Sequence, residues 1–237
     1  MSLKNNMKTF IINKNIRGFY HREYVGGKFR GMNRDQILQK VQKMQEIEDV
    51  IFILKNDCGD IPSDLVYRAA WVVISILCTD LPQIYRLVGK NFLTVCVVPR
   101  AKRDDRYKPE QLYFRKAVKR TIQILQDLHS LGEIDCKFED GIDYIKREKD
   151  TKTTHLSKGW SKGNGDLPEP YPGITKETCY IDCEKIKNKD ILLIDDVYTK
   201  GINVDEDAIQ ALLDYGANSV VFYAIGYTIP HIIPYIV

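Results

Sequence analysis

Two adjacent carboxylates, Asp195 and Asp196, end the apolar run Ile191 to Ile194 and stand just ahead of a short polar stretch, Thr199-Lys200-Gly201-Ile202-Asn203. Four aliphatic residues in a row read as a strand buried on both faces of a parallel sheet, and ligands of such sheets bind in the crevice at the strands' carboxyl ends. Gly201 permits φ > 0 and close approach of the backbone to a ligand. With Asn203 or Asp205 as N-cap, Ala208, Ile209, Leu212 and Leu213 fall at helical spacing, so the loop's N–H groups sit at a helix N-terminus, where phosphate is favoured. A second set of chemical groups follows Phe92 to Val98, another buried-strand pattern. After Pro99 come Arg100, Lys102, Arg103, Arg106 and Lys108. If the two strands share a sheet, this basic loop lies on the same rim as the acids and can take a pyrophosphate. The plain alternatives are acids that only cap a helix and a basic loop that is only solvated.

A helix is expected from about Pro109 to Leu131, and a mostly buried helix over Ser63 to Cys78 behind Pro62. Gly141 to Arg147 reads as a third strand and Ser219 to Ile225 as a last one. Met1 to about Asp60 is the least legible part. It mixes β-like pieces, Phe10 to Ile12 and Val50 to Leu54, with a helix near Asp35 to Glu48 capped by Asn33 or Asp35. Tyr20-His21-Arg22-Glu23-Tyr24 reads as an exposed strand or turn. Between Asp150 and Thr178 lies a polar segment rich in Lys, Gly, Thr and Pro, of the kind that forms a lid or an insert.

The Ile191 to Val204 stretch resembles the ribose-5-phosphate recognition motif of the type I phosphoribosyltransferases, which use phosphoribosyl pyrophosphate (PRPP). The basic run Pro99 to Tyr107, together with Arg147, Thr151 and His155-Leu156-Ser157, is similar to the competence-associated, ComF-like branch of that family. The resemblance implies an α/β fold: a mainly parallel central sheet flanked by helices, with a small N-terminal hood over residues 1–60, a core over 61–237 and a flexible loop at 148–178. It implies that Asp195 and Asp196 hold the ribose hydroxyls and reach magnesium through water. Val197, Tyr198, Thr199, Lys200, Gly201, Ile202 and Asn203 would form the sugar-phosphate site, Arg100, Lys102 and Arg106 would attend the pyrophosphate, and Arg147 would be a further substrate-binding residue. His155 would approach the pyrophosphate or nucleophile, or stand as a solvent-exposed bystander of its loop, and Tyr227, at the end of the last strand, would meet the transferred base. The implied reaction moves ribose 5-phosphate to a nitrogen acceptor, a nucleobase or an amine, with release of pyrophosphate. Lys200 and Asn203 depart from the family's usual small residue or threonine, and a lysine there is expected to reach the 5′-phosphate. A sensor of PRPP or nucleotide that keeps the fold without turnover is the other reading, with Arg115, Lys116, Lys119 and Arg120 as a docking face or simply solvated surface.

Composition narrows the setting. With 237 residues and 44% hydrophobic content, the chain can bury one substantial core, and a formal charge of +3 does not mark a nucleic-acid binder. The six cysteines (Cys58, Cys78, Cys96, Cys136, Cys179, Cys183) show no CxxC spacing. They read as reduced structural thiols of a cytoplasmic protein. The longest apolar run, Ala69 to Cys78, is too short to span a bilayer, and the start lacks a signal-peptide core. The apolar tail from Thr228 to Val237 is suited to covering a sheet edge or joining a homodimer interface.

Overall fold

The computed structural model describes residues 7–12, 16–57, 59–151, 173–202 and 204–229. In chain order the elements are β1 (Lys8–Ile12), β2 (Ile16–Val25), α1 (Arg34–Val41), α2 (Ile47–Lys55), α3 (Ser63–Val88), β3 (Leu93–Val97) and α4 (Tyr113–Ser130). There follow β4 (Phe138–Asp140), β5 (Ile145–Arg147), β6 (Cys179–Ile181), α5 (Cys183–Ile186), β7 (Asp190–Tyr198), α6 (Val204–Asp214) and β8 (Ser219–Ile229). Six strands form one sheet in the order β1-β2-β8-β7-β3-β4, in which only β1 runs antiparallel to its neighbour. The fold is thus α/β, with a mostly parallel central sheet flanked by helices.

Strand alternation divides the core between the two sheet faces. Val95, Val97, Leu192, Ile194, Val221, Tyr223 and Ile225 pack with the apolar sides of α2, α3 and α4. Cys96, Val98, Ile191, Leu193, Phe222 and Ala224 pack on the opposite face with Ala208, Ile209 and Leu212 of α6. The run Ile191 to Ile194 is fully buried, as expected of a strand with helices over both faces. Helix α3 is long and apolar enough to cross a membrane by length and composition, but much of its surface is taken up by the first of these clusters.

Several elements differ from the sequence reading. Val50 to Leu54 is helical, within α2, because Val50, Ile51, Ile53 and Leu54 bury a helix face; a short apolar run does not distinguish strand from buried helix. The helix expected over Asp35 to Glu48 is two helices, α1 and α2, the first closed by a capping box between Asn33 and Gln36. Helix α3 continues ten residues past Cys78 to a left-handed Gly89. Gly141 to Arg147 is not a core strand. It is a 3-10 turn at Ile142–Tyr144 leading to β5, which pairs with β6 in a separate two-stranded sheet; the neighbour of β3 is β4. Within residues 1–60, read as a small hood, strands β1 and β2 extend the main sheet, β2 pairing with β8 from Gly18↔Phe222 to Val25↔Ile229, and the following segment with α1 and α2 contributes to the lining at the rim.

His21 is buried rather than exposed. Strand β2 is flanked by β1 and β8, and its inner face meets α3, where His21 Nδ1 lies 2.9 Å from Asp80 Oδ2. Tyr223 donates to the same carboxylate oxygen at 2.8 Å. Asp80 Oδ2 thus ties β2, α3 and β8 together inside an otherwise apolar layer, while His21 Nε2 and Asp80 Oδ1 are buried without a partner among the described residues, which periodicity in one strand cannot foretell.

Candidate active site

From β3 the chain first crosses to β4 on one side; it then returns through β7 on the other side of β3 and continues to β8. The carboxyl ends of β3 and β7 are therefore the point where the strand order reverses, the place where open α/β sheets bind ligands. A cleft of about 890 Å³ opens there. The loop after β3 contributes Pro99, Arg100, Lys102 and Tyr107, the end of β7 and its loop contribute Asp195, Asp196, Val197, Thr199 and Ile202, and the N-terminal segment contributes Tyr24, Ile37, Phe52, Lys55 and Asp57.

The acids do not end their strand. Strand β7 runs through them to Tyr198, with Asp195 opposite Ala224 and Val197 opposite Gly226 on β8, so their backbone is fixed by sheet pairing. Asp195 Oδ1 accepts from the Asp196 N–H at 2.7 Å. Burial first, and then the neighbouring charge of Asp196, push the Asp195 carboxyl up to about 7. Its hydrogen-bond partner is Asp205, which burial and then the Asp195 charge hold well above the carboxylate range. Burial and the mutual repulsion of the two carboxyls favour a proton held between them, while Asp205 Oδ1 is buried without a partner among the described residues. Since α6 begins at Val204, Asp205 lies inside the first turn and is not the N-cap.

Lys55, the last residue of α2, places Nζ 3.5 Å from Asp196 Oδ1. Burial opposes its charge, but Asp196, Tyr24, Asp195 and Asp57 more than offset that, so its pKa stands above the ordinary lysine value. Arg100 is held from three sides. Nη1 donates to the carbonyls of Lys55 (2.9 Å) and Gln111 (2.6 Å), Nη2 pairs with Asp57 at 2.8 Å, and the guanidinium lies 4.4 Å from the Tyr107 ring centre. Gln111 Nε2 in turn donates to the Asn56 carbonyl at 2.8 Å. This network ties the end of α2 to the loop after β3. Lys102 lines the cleft and its ammonium has no partner among the described residues.

The loop after β7 turns tightly, with the Ile202 N–H donating to the Thr199 carbonyl at 3.0 Å. Gly201 has φ +85°, and a Cβ there would meet nothing within 4 Å, so the glycine answers a backbone need rather than a lack of space. Thr199 lines the cleft with its hydroxyl 2.7 Å from that of Thr228.

Other expected site residues lie elsewhere. Lys200 is exposed and outside the cleft lining. Arg106 is exposed and likewise outside the lining. Tyr198 and Tyr227 belong to an aromatic cluster with Phe10 on the opposite side of the sheet, where the Tyr198 hydroxyl donates to Glu206 at 2.8 Å. Arg147 reaches the cleft edge but is buried, its Nε donating to the Arg100 carbonyl at 2.9 Å and its Nη1 to Gly173. Asn203 and His155 fall outside the described residues.

The residues that sequence reasoning missed are Tyr24, Lys55, Asp57 and Asp205. For two of them a signal existed: Lys55-Asn56-Asp57 follows directly on the apolar run Val50 to Leu54, a polar triplet at the end of a buried element.

No family model matches the chain, and no curated protein matches it. Among solved structures it is similar to a purine phosphoribosyltransferase from Pyrococcus horikoshii, with 15% identity over 68% of this chain and 83% of that one, at a TM-score of 0.27.

Proposed function

We propose that the chain is a phosphoribosyltransferase, moving ribose 5-phosphate from PRPP to a nitrogen acceptor with release of pyrophosphate. The observation that carries this reading is the placement of the Asp195-Asp196 pair and the Thr199 to Ile202 turn at the β3/β7 reversal, on one cleft with the basic loop. Asp195 and Asp196, fixed by sheet pairing, would hold the two ribose hydroxyls, and the N–H groups at the start of α6 would receive the 5′-phosphate. Lys102 would meet the pyrophosphate, where a charge-assisted contact gains most as the leaving group departs. The apolar walls from Ile37, Phe52 and Val197 would keep water from the sugar carbon.

Magnesium fits this donor set. Asp196 offers a hard carboxylate oxygen on the cleft, and the ion would be completed by waters and substrate phosphates. When bound, it would offset charge on the departing pyrophosphate.

Calorimetry tests the assignment. Replacing both acids, Asp195→Asn with Asp196→Asn, is expected to weaken magnesium-dependent PRPP binding at least a hundredfold while the circular dichroism stays unchanged. Unaltered affinity would remove it. A second reading, a PRPP-binding regulator without turnover, gains from one observation: Arg100 already commits its guanidinium to Lys55, Gln111 and Asp57. Pyrophosphate release that depends on a particular acceptor favours the enzyme; saturable binding with no release for any acceptor favours the regulator.

A further inference from the structure

Lys55 enters the cleft from an element outside both motif loops, and its place there is set independently of the acids. Its carbonyl is held by Arg100 at 2.9 Å, and the next residue, Asn56, closes α2 in the left-handed conformation. Asn56 Oδ1 then takes the N–H groups of Asp60 and Ile61, each at 3.1 Å. So anchored, the lysine stem delivers its ammonium 3.5 Å from Asp196 Oδ1, with both side chains largely shielded from solvent.

We propose that Lys55 is a resident cation, occupying at Asp196 the place that a divalent ion takes only together with the substrate. The inference rests on the proposed sugar-diphosphate reading for the identity of what arrives, but not for the competition itself. An oxygen of one or two carboxylates, without a closed cage, holds a divalent ion weakly. A fixed positive charge about 4 Å away weakens it further, since like charges in a shielded site repel strongly. The free protein therefore leaves the metal in solution. A diphosphate brings the ion with its own oxygens and offers Lys55 new acceptors, so the flexible four-carbon stem can leave Asp196 as the ion arrives. Metal and substrate then enter as one unit.

The competition is measurable without turnover, with Mn²⁺ alone as probe, followed by electron paramagnetic resonance. Lys55→Met is expected to bind Mn²⁺ at least about tenfold more tightly than the parent protein. Lys55→Arg, which keeps the charge, should bind as the parent does, and Lys55→Met with Asp196→Asn should lose the gain. Lys55→Gln serves the same comparison should the methionine variant fail to fold. Equal Mn²⁺ affinity in the parent and charge-removed proteins overturns the proposal. So does a gain shared by Lys55→Arg, or one that survives loss of Asp196. Absence of PRPP binding by the parent would sink the transferase reading, while the Mn²⁺ series still decides the role of Lys55.

Discussion

The loop after β3 and the loop after β7 meet at one cleft and are built on opposite plans. The first carries many cations, yet Arg100 is spent on two carbonyls and a carboxylate, Arg103 on Asp105, and Lys108 on the Gly59 carbonyl. Only Lys102 keeps an unengaged ammonium on the cleft among the described cations of that loop. Among the described residues of the second loop the side-chain tie is Thr199 with Thr228, and the turn closes on itself through the Ile202 N–H and the Thr199 carbonyl. Charge in a sequence is thus a poor guide to charge available to a ligand. One loop uses its cations as mortar between the N-terminal segment and the sheet, and the other uses backbone geometry.

Four substitutions press on that contrast. Arg100→Met is expected to have the largest effect, destabilising the fold by about 2–4 kcal/mol in urea titration, because two carbonyls and Asp57 lose a charged partner together. A loss under 0.5 kcal/mol would show that the network is ornamental and return Arg100 to the ligand. Next is Asp205→Asn. Because Asp195 titrates near 7 in the fold and at 3.8 ordinarily, the folded protein binds the extra proton in that window. The stability it contributes is present below about pH 4 and is lost as pH rises toward 7. Asp205, held well above the carboxylate range by burial and the Asp195 charge, adds a proton of its own to the folded state; removing that titration should lessen the pH slope and make the variant more stable than the parent at pH 8, by about 1–3 kcal/mol, and an unchanged pH profile would contradict a proton held on Asp205. Lys102→Met should leave stability within about 0.5 kcal/mol and weaken pyrophosphate binding about tenfold, and a variant that binds as the parent does would leave the β3 loop with no ligand role. The smallest effect is expected from Lys200→Thr, under about threefold on ribose 5-phosphate affinity, since its ammonium stands outside the cleft. A tenfold loss would show that the ligand draws the lysine inward.

How much of this could be read beforehand follows from what is local. The β7 strand, its acids, the Gly201 turn and the α6 helix are consecutive in the chain, so their order could be read directly from the sequence. The hydrogen bonds of Arg100 join residues 45 and 11 positions away, so nothing in the run after Pro99 separated a clamp from a phosphate ligand. Lys55 escaped notice because Val50 to Leu54 satisfies strand and buried-helix patterns alike, and only as a helix does it set a lysine at the rim. Tyr198 and Tyr227 adjoin motif residues in sequence but pack with Phe10 on the other face of the sheet, where alternation counted from Ile194 and Ile225 would not have put them.

The pairing of β2 with β8 also governs how the molecule is made. Gly18 meets Phe222, residues roughly two hundred positions apart, and closing so long a loop costs entropy before any contact rewards it. Strand β2 gains its parallel neighbour only once β8 has been synthesised, and until then β1 and β2 are a hairpin with an open edge. Such a late, long-range closure makes a slow-folding chain, exposed to misassembly while it waits. Loss of β8 would therefore strand the N-terminal segment that brings Lys55 to the rim, uncoupling one wall of the cleft from the other.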